Sequence, residues 1–583
     1  MDQTIDTANE PKNGVQATPP ARDKAKARAL AAAAKKTLIK PDTVKAFKSL
    51  HTWTGVGAGM ALFIAFFAGA LTVFHHELGD WDSYAQQVPR EQTIAEAQLL
   101  VEQAILDEPG AAESLRLYLP GHHSNENEVY WYERLENDTF ETHRWRMDDA
   151  GGIDTSLETA HVADFVYRLH YTGGLMPARL GLYALGIICV LYGLALFSGV
   201  LLFIPGFLKD LLVVRKGGKN PKRFWLDAHN VIGVVSLPFH ILFAWSSAIL
   251  AIGVFFLAPF QYLVFDDDLT KLVGPELGFV DAVEPKNEPA EMLSIAEVLE
   301  IVERELPGME PEQVRFAHYG DAGSSVSVYG DAPTGTLVTG AGVTLNAVSG
   351  EVISYFDPAQ ATPGGTFYRG LMTLHFVDFG GYFVKWTFFT LSMLGAFLFY
   401  SGNLLFVESR RKRREQQQPG KAVLLAKLNS GVCIGAIAGI AMAMLASRFF
   451  SNLEGRADLT EFAYYTVFLL GLGWSIYRPV AKGTRDLLNL SALLCCAIPV
   501  VDATLIGMPL WKSFVEGHWS LFVIDVMALT MGVLFLRIAR AVSHRSKNGP
   551  ENSVWYNRPT DREAQELVPN EVSPPVAVAV AKN

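Results

Sequence analysis

The sequence contains little charge for its length. Only 19% of the 583 residues are charged, whereas 50% are hydrophobic. Several stretches of about 20 residues contain hardly any charge, and that is the length a helix needs to cross a bilayer. This composition excludes an ordinary soluble enzyme and predicts a polytopic α-helical membrane protein.

Cysteines are few, and their positions exclude several kinds of site. Cys189, Cys433, Cys495 and Cys496 all lie in apolar stretches, and no two are spaced as a CxxC motif. Iron-sulfur clusters and thiol redox chemistry are therefore not indicated. The glycines of residues 55–59 lie inside an apolar stretch, without the strand and turn of a dinucleotide fingerprint. No basic nucleic-acid footprint accompanies the net charge of -11.

Eight apolar stretches predict eight membrane spans. They are residues 52–74, 181–205, 230–256, 382–407, 431–450, 462–477, 487–508 and 519–538. Lys and Arg cluster in every second connection, and such residues are retained on the cytoplasmic side. Both termini are therefore predicted to be cytoplasmic. Two long polar segments, about residues 77–168 and 259–372, then lie on the outer side of the membrane.

The most informative feature is an internal repeat. The corresponding segments are SLHTWTG from Ser49 and DAHNVIG from Asp227, RLHYTGG from Arg168 and TLHFVDFGG from Thr373, TIAEAQLLVE from Thr93 and SIAEVLEIVE from Ser294, and SGVLLF from Ser198 and SGNLLF from Ser401. A repeat of this length predicts two halves related by a pseudo-twofold axis, with functional sites where the halves meet.

Each half is predicted to consist of a helix, a small α+β domain on the outer side and a second helix. The apolar positions of SIAEVLEIVE form a helical stripe, and alternating stretches such as VYWYERL from Val129 predict strands. The predicted organisation is a disordered cytoplasmic tail (1–44), a first repeat (45–208), a basic cytoplasmic loop (209–226), a second repeat (227–407), another basic cytoplasmic loop (408–427), a four-helix membrane extension (428–540) and a disordered cytoplasmic tail (541–583).

The order of these motifs resembles the PepSY-associated transmembrane family. LHTWTG opens the first span and HNVIGVVSLPFH the third, and an amphipathic helix with strands separates the spans of each half. The resemblance covers about Phe47 to Phe406 and implies PepSY-like α+β domains. Members include bacterial ferric-siderophore reductases with two b-type haems. The resemblance implies a location in the bacterial inner membrane, with the two outer α+β segments in the periplasm. The resemblance therefore implies a ferric siderophore or other ferric chelate as the acceptor, with release of iron(II).

Four histidines recur at matching places in the two halves, His51 with His229 and His170 with His375. Haem iron with two imidazole ligands needs one nitrogen on each side of the macrocycle. The repeat would supply this arrangement twice, for an inner and an outer haem b. A lone histidine at a helix end is more often an interfacial residue. The repeated pairing favours ligation, and zinc would need three or four clustered ligands.

Other residues are additional candidates. His240 follows a proline whose kink would open space for a buried imidazole, and it would serve as a ligand or as a hydrogen-bonding residue between the haems. His75 or His76 is an alternative outer ligand. Arg168 and Arg369 flank the outer histidines and would hold haem propionates or act as interfacial anchors.

These observations predict a haem-containing membrane oxidoreductase that reduces a ferric chelate. No flavin or nicotinamide domain is indicated, so the electron donor would be membrane quinol or a separate cytoplasmic reductase. One alternative is a PepSY-type periplasmic binding or regulatory module anchored in the membrane, which would be colourless. Another is an iron-related transporter, although the last four spans lack the interrupted helices typical of a transport site.

Overall fold

The structure is a computed structural model. It describes residues 41–83, 92–120, 127–134, 140–147, 152–155, 161–204, 221–265, 284–332, 337–377, 379–412, 414–415, 417–451, 453 and 455–557. Most of the predicted tail of residues 1–44 and of the predicted loop of residues 209–226 lies outside the described residues.

Helices make up most of the described chain. They are α1 (Pro41–Thr72), α2 (His75–Asp82), α3 (Ile94–Asp107), α4 (His161–Thr172), α5 (Ala178–Phe203), α6 (Pro221–Val235), α7 (Leu237–Leu263), α8 (Ile295–Glu305), α9 (Pro363–Phe376), α10 (Gly381–Ser409), α11 (Gly420–Phe449), α12 (Arg456–Tyr477), α13 (Val480–Val501), α14 (Leu510–Val515) and α15 (Trp519–Asn548). A π-helical turn (Asp502–Ile506) continues α13.

Six of the described helices are long and apolar enough to cross a membrane, namely α1, α5, α10, α11, α13 with its π-helical turn, and α15. The pair α6 and α7 forms a seventh span if it is counted as one, although it bends by 71°. The sixth predicted span, residues 462–477, corresponds to α12, which is helical but is not among these six helices. Tyrosines and Glu461 lower its hydropathy. The chain is therefore a multi-pass membrane protein with fewer clear spans than predicted.

The bend between α6 and α7 lies at Ser236. Pro238 follows in the first turn of α7, where a missing backbone N–H costs least. His240 lies two residues after Pro238 and is completely buried. The bend therefore places a buried imidazole inside the bundle, as the proline predicted.

The two α+β segments form one domain, whereas the sequence predicted two. The strands are β1 (Ser114–Tyr118), β2 (Glu128–Arg134), β3 (Phe140–Met147), β4 (Ile153–Asp154), β5 (Glu310–Ala317), β6 (Ser325–Asp331), β7 (Gly340–Asn346) and β8 (Val352–Phe356). They make one antiparallel sheet in the order β4-β3-β2-β1-β5-β6-β7-β8. Each half alone would leave β1 or β5 as an unpaired edge strand, and pairing β1 with β5 removes these two edges. The prediction of two separate domains is therefore wrong, because the two halves pair through these edge strands.

Helices α3 and α8 cover one face of this sheet. Both begin with the same capping box, in which Thr93 and Ser294 accept from the backbone N–H groups of Glu96 and Glu297. Their apolar stripes pack with alternating strand residues such as Leu115 in one core. The repeated segments TIAEAQ and SIAEVL therefore form equivalent helices on a shared sheet.

A buried charged cluster joins the first half to the last four long helices. Arg456 at the start of α12 pairs with Asp82 at the end of α2, and Arg448 pairs with Asp502 at 2.8 Å. Trp81 donates its indole N–H to the second oxygen of Asp502 at 2.6 Å. All five side chains are at most 3% exposed. Because breaking a buried ion pair costs more than an exposed one, the cluster fixes how the extension docks.

The described chain continues beyond the predicted start of the C-terminal tail at residue 541. Helix α15 extends to Asn548, and Trp555 is 7% exposed and packs with Leu404 and Val480. Residues 541–557 are therefore folded, which corrects that part of the prediction. Residues 558–583 lie outside the described part of the chain.

Candidate functional site

The four repeat-related histidines meet in two pairs within the helical bundle. The imidazole centroids of His51 and His229 are 6.2 Å apart, and those of His170 and His375 are 6.4 Å apart. Helices α1 and α6 supply the first pair, and α4 and α9 supply the second. The structure thus brings together the partners that the repeat predicted.

The two pairs lie at different levels of the bundle. His170 contacts α1 at Ala65, and His51 lies on the same helix, about 21 Å earlier at 1.5 Å per residue. We call the His170 and His375 pair the sheet-end pair, because α4 and α9 both contact the sheet domain. We call the His51 and His229 pair the far pair.

Hydrogen bonds fix the tautomer of three of these imidazoles. The Nδ1 atoms of His51 and His170 each lie 2.8 Å from a backbone carbonyl oxygen, of Ala195 and Ala65 respectively. A carbonyl only accepts, so Nδ1 carries the hydrogen and Nε2 keeps a lone pair. This is the arrangement that metal-ligating histidines commonly adopt.

A hydroxyl group holds His375 in the same tautomer, with the hydrogen on Nδ1 and the lone pair on Nε2. Its Nδ1 lies 2.6 Å from Ser246 Oγ, and the Ser246 hydroxyl donates to the carbonyl of Leu242 at 2.8 Å. The Ser246 oxygen is therefore the acceptor for His375 Nδ1–H. His229 is held less firmly, because its buried Nδ1 makes no well-formed hydrogen bond to a described residue.

Glycines make room for three of the four imidazoles. A Cβ at Gly69 would lie 2.7 Å from His170 Nδ1, and a Cβ at Gly199 would lie 2.9 Å from His51 Cε1. A Cβ at Gly402 would lie 3.3 Å from His229 Cε1. Any side chain at the first two positions would displace its imidazole. The role of these glycines was not predicted from the sequence. The repeat offered a signal, because Gly199 and Gly402 occupy the same place in SGVLLF and SGNLLF.

His240 lies in an aromatic cluster beside the pairs, without belonging to either. Tyr192 and His240 share a hydrogen bond through Nδ1, and the His240 Nε2 is buried without a partner among the described residues. The Phe66 ring lies 5.7 Å from His240 and 6.3 Å from Phe243, which lies 5.0 Å from His375. Aromatic rings therefore continue from His240 to the sheet-end pair.

The remaining candidates have other partners. His75 Nε2 lies 3.2 Å from Asp164, and the His76 ring lies beside that of His75. Arg168 forms an ion pair with Glu461 of α12, and the Arg369 guanidinium lies 3.2 Å from the centre of the Phe356 ring. The structure places all of them near the sheet end but does not direct them at either pair of imidazoles.

The arrangement suits a metal that receives most of its ligands from a cofactor. Within the described ranges, no group of three or more His, Cys, Asp or Glu side chains could hold a metal ion unaided. Imidazole nitrogens bind metal ions at about 2 Å, so an ion between two imidazoles separates their nitrogens by about 4 Å and their centroids by roughly 6 Å. Both observed separations match that value.

Comparison with known proteins identifies a family. Residues 48–409 match the family model of the PepSY-associated TM region. The match contains all four paired histidines and the complete sheet, and it ends where α10 ends. No curated protein matches the chain.

Proposed function

The chain belongs to the PepSY-associated transmembrane family, and from this premise we propose that it is a haem-containing oxidoreductase that reduces a ferric chelate. The proposed acceptor is a ferric siderophore or a related oxygen-donor chelate, which releases iron(II). The observation that carries the proposal is the presence of two histidine pairs whose ring separations, 6.2 Å and 6.4 Å, fit one iron between each pair of imidazoles.

The side chains around each pair also fit haem b. Bound haem would supply a one-electron carrier, and the two imidazoles of each pair would hold its iron. The Ala195 and Ala65 carbonyls and the Ser246 hydroxyl orient three imidazoles with Nε2 unprotonated. The opposing glycines leave the space that these orientations need. Hydrogen-bond partners of metal-ligating imidazoles commonly set both the orientation of the ligand and the affinity for the metal.

The positions of the two pairs support transfer across the membrane. The far pair and the sheet-end pair lie about 21 Å apart along α1, so an electron received at one level can be delivered at the other. We propose that the sheet domain is periplasmic and that both termini are cytoplasmic, because described basic residues such as Arg410, which lies over the Trp53 ring near His51, are at the far end. The protein would then reside in the bacterial inner membrane.

Absorption of the purified full-length protein tests the proposal. We expect a low-spin b-type spectrum, with two haems per chain in a haem extraction assay. A colourless protein after expression with added haem precursor would contradict the proposal and would favour an anchored binding module.

Substitution of the ligands then tests the pairing. His51→Ala and His229→Ala should each remove the same haem and leave the other spectrum intact. His518→Ala is the matched control, because His518 is a partly exposed histidine at the start of α15. Wild-type haem content in both far-pair variants would contradict the assignment and would make His240 the next residue to replace.

A further inference from the structure

The face of the sheet opposite α3 and α8 carries an unusual row of side chains. Residues directly opposite each other on antiparallel strands point to the same face. One row of successive cross-strand partners runs from β3 to β7 on this face. Its members are Arg144, Tyr130, Arg116, Arg315, Ser327 and Thr344. We call this set the arginine row. Three of its six members are cations.

Two of these cations are direct neighbours at the junction of the halves. Arg116 on β1 is opposite Arg315 on β5, and such pairs have Cβ atoms about 5 Å apart. Arg116 donates to the hydroxyl of Tyr130 at 2.9 Å. Arg315 is exposed, and it makes no hydrogen bond or ion pair with the part of the chain that the structure describes. Like charges placed opposite each other destabilise a sheet, so the fold itself gains nothing from this pair.

Tyrosines lie around Arg116. Tyr118 stacks on Tyr130 with centroids 5.4 Å apart, and the Arg116 guanidinium lies 5.3 Å and 5.4 Å from the ring centres of Tyr130 and Tyr132. Burial and a hydrogen bond to Tyr130 hold the pKa of Tyr118 well above its ordinary value. Tyr132 is 50% exposed. The face thus offers cations together with neutral phenols that can stack or donate hydrogen bonds.

This face is directed towards the sheet-end pair. An ion pair of 3.8 Å joins the arginine row to Asp164 of α4, and Arg369 of α9 lies against Phe356 on the same face. Each of these helix residues precedes a paired histidine, His170 or His375, by about 9 Å along its helix. A molecule bound on the row would therefore lie on the side of the sheet from which electrons would arrive.

We propose that the arginine row binds an anionic ferric chelate with aromatic oxygen donors, of the tris-catecholate type. This inference rests on the proposed function and specifies its acceptor. Arg116 and Arg315 have no carboxylate partner among the described residues, and they would contact the anionic oxygens. The tyrosine rings would stack on the aromatic donor groups. Bound anion would also relieve the repulsion between the two guanidinium groups.

Binding to the oxidised full-length protein in detergent tests this inference without electron transfer. The probe is a trianionic iron(III) tris-catecholate labelled with radioactive iron, measured by equilibrium dialysis. We expect Arg315→Gln to raise the Kd about tenfold or more, because a charge-assisted contact is lost. Arg304→Gln is the matched control, since Arg304 is an exposed arginine on α8, over the other face.

The charge of the probe supplies a second arm. Added salt should weaken binding of the trianionic chelate, and a neutral iron(III) tris-hydroxamate should show no loss in Arg315→Gln. Equal Kd values for wild type and Arg315→Gln would overturn the inference, as would equal losses with both chelates or an absence of binding by the wild type. Failure of the proposed function would instead appear as missing haem absorbance, which this assay does not use.

Discussion

Gly69→Ala offers the sharpest test of how the sheet-end pair is built. The new methyl group would lie 2.7 Å from Nδ1 and 2.9 Å from Cε1 of His170. Both distances are shorter than real Cβ contacts, so one group must move. The backbone of α1 is held by its own hydrogen bonds, whereas the imidazole is a side chain that can rotate. We therefore expect His170 to yield and to lose its bond to the Ala65 carbonyl.

The expected magnitude follows from that lost contact. A hydrogen bond of this kind stabilises a folded protein by about 1 kcal/mol. A Gly to Ala change within a helix returns roughly 0.5–1 kcal/mol, so global stability should change little. Loss of a partner that orients a metal ligand lowers metal affinity about 10- to 100-fold, and displacement of the ring adds to that loss. Gly69→Ala should thus leave a folded protein with only the haem of the far pair.

The assay compares haem content and thermal unfolding across a graded series. Gly199→Ala would place its methyl group 2.9 Å from His51, and Gly402→Ala would place it 3.3 Å from His229. Gly57→Ala is the control, because a Cβ there would meet nothing within 4 Å. We expect the loss of haem to decrease in the order Gly69, Gly199, Gly402, Gly57. Full haem content in Gly69→Ala would refute the assignment of His170 as a ligand.

Three further outcomes are expected. Ser246→Ala removes the Nδ1 partner of His375. It should weaken haem binding at the sheet-end pair or shift the reduction potential of that haem alone, as measured by redox titration of the absorbance. Asp82→Ala leaves a buried arginine unpaired and should cost about 3–5 kcal/mol, seen as a lower unfolding temperature in detergent, whereas Glu305→Ala at an exposed pair should have little effect. Reporter fusions after Gln417 and Asp331 should read cytoplasmic and periplasmic respectively, and the reverse result would invert the proposed direction of electron transfer.

The meeting of the histidines could be predicted because the repeat fixes position and depth together. His51 and His229 stand at the same place in related motifs, and so do His170 and His375. A repeat of this kind predicts that corresponding positions of the two halves meet where the halves pack together. The role of these residues as haem ligands stays a prediction. Their supporting contacts could not be foreseen, because a backbone carbonyl such as that of Ala65 has no sequence signature.

The joined sheet and the buried charged cluster were not predictable for different reasons. The alternation of SLRLY at β1 indicates a strand with one buried face, but it does not identify the neighbouring strand. Arg448 and Arg456 lie near helix ends, where charged side chains are ordinarily solvated. Their burial depends on Asp82 and Asp502, which are distant in sequence. Composition and periodicity do not predict which residues distant in sequence will pair.

The pairing of β1 with β5 also determines what would happen if the protein were divided. Cutting the chain between α5 and α6 would give two fragments, each with four strands and one newly exposed edge strand, β1 or β5. Two fragments produced together would have a template for reassembly, whereas a fragment produced alone would offer its edge to a second copy of itself. In the intact protein the covalent connection keeps the unlike strand at high effective concentration. The single chain thereby ensures that β1 pairs with β5 rather than with the β1 of another molecule.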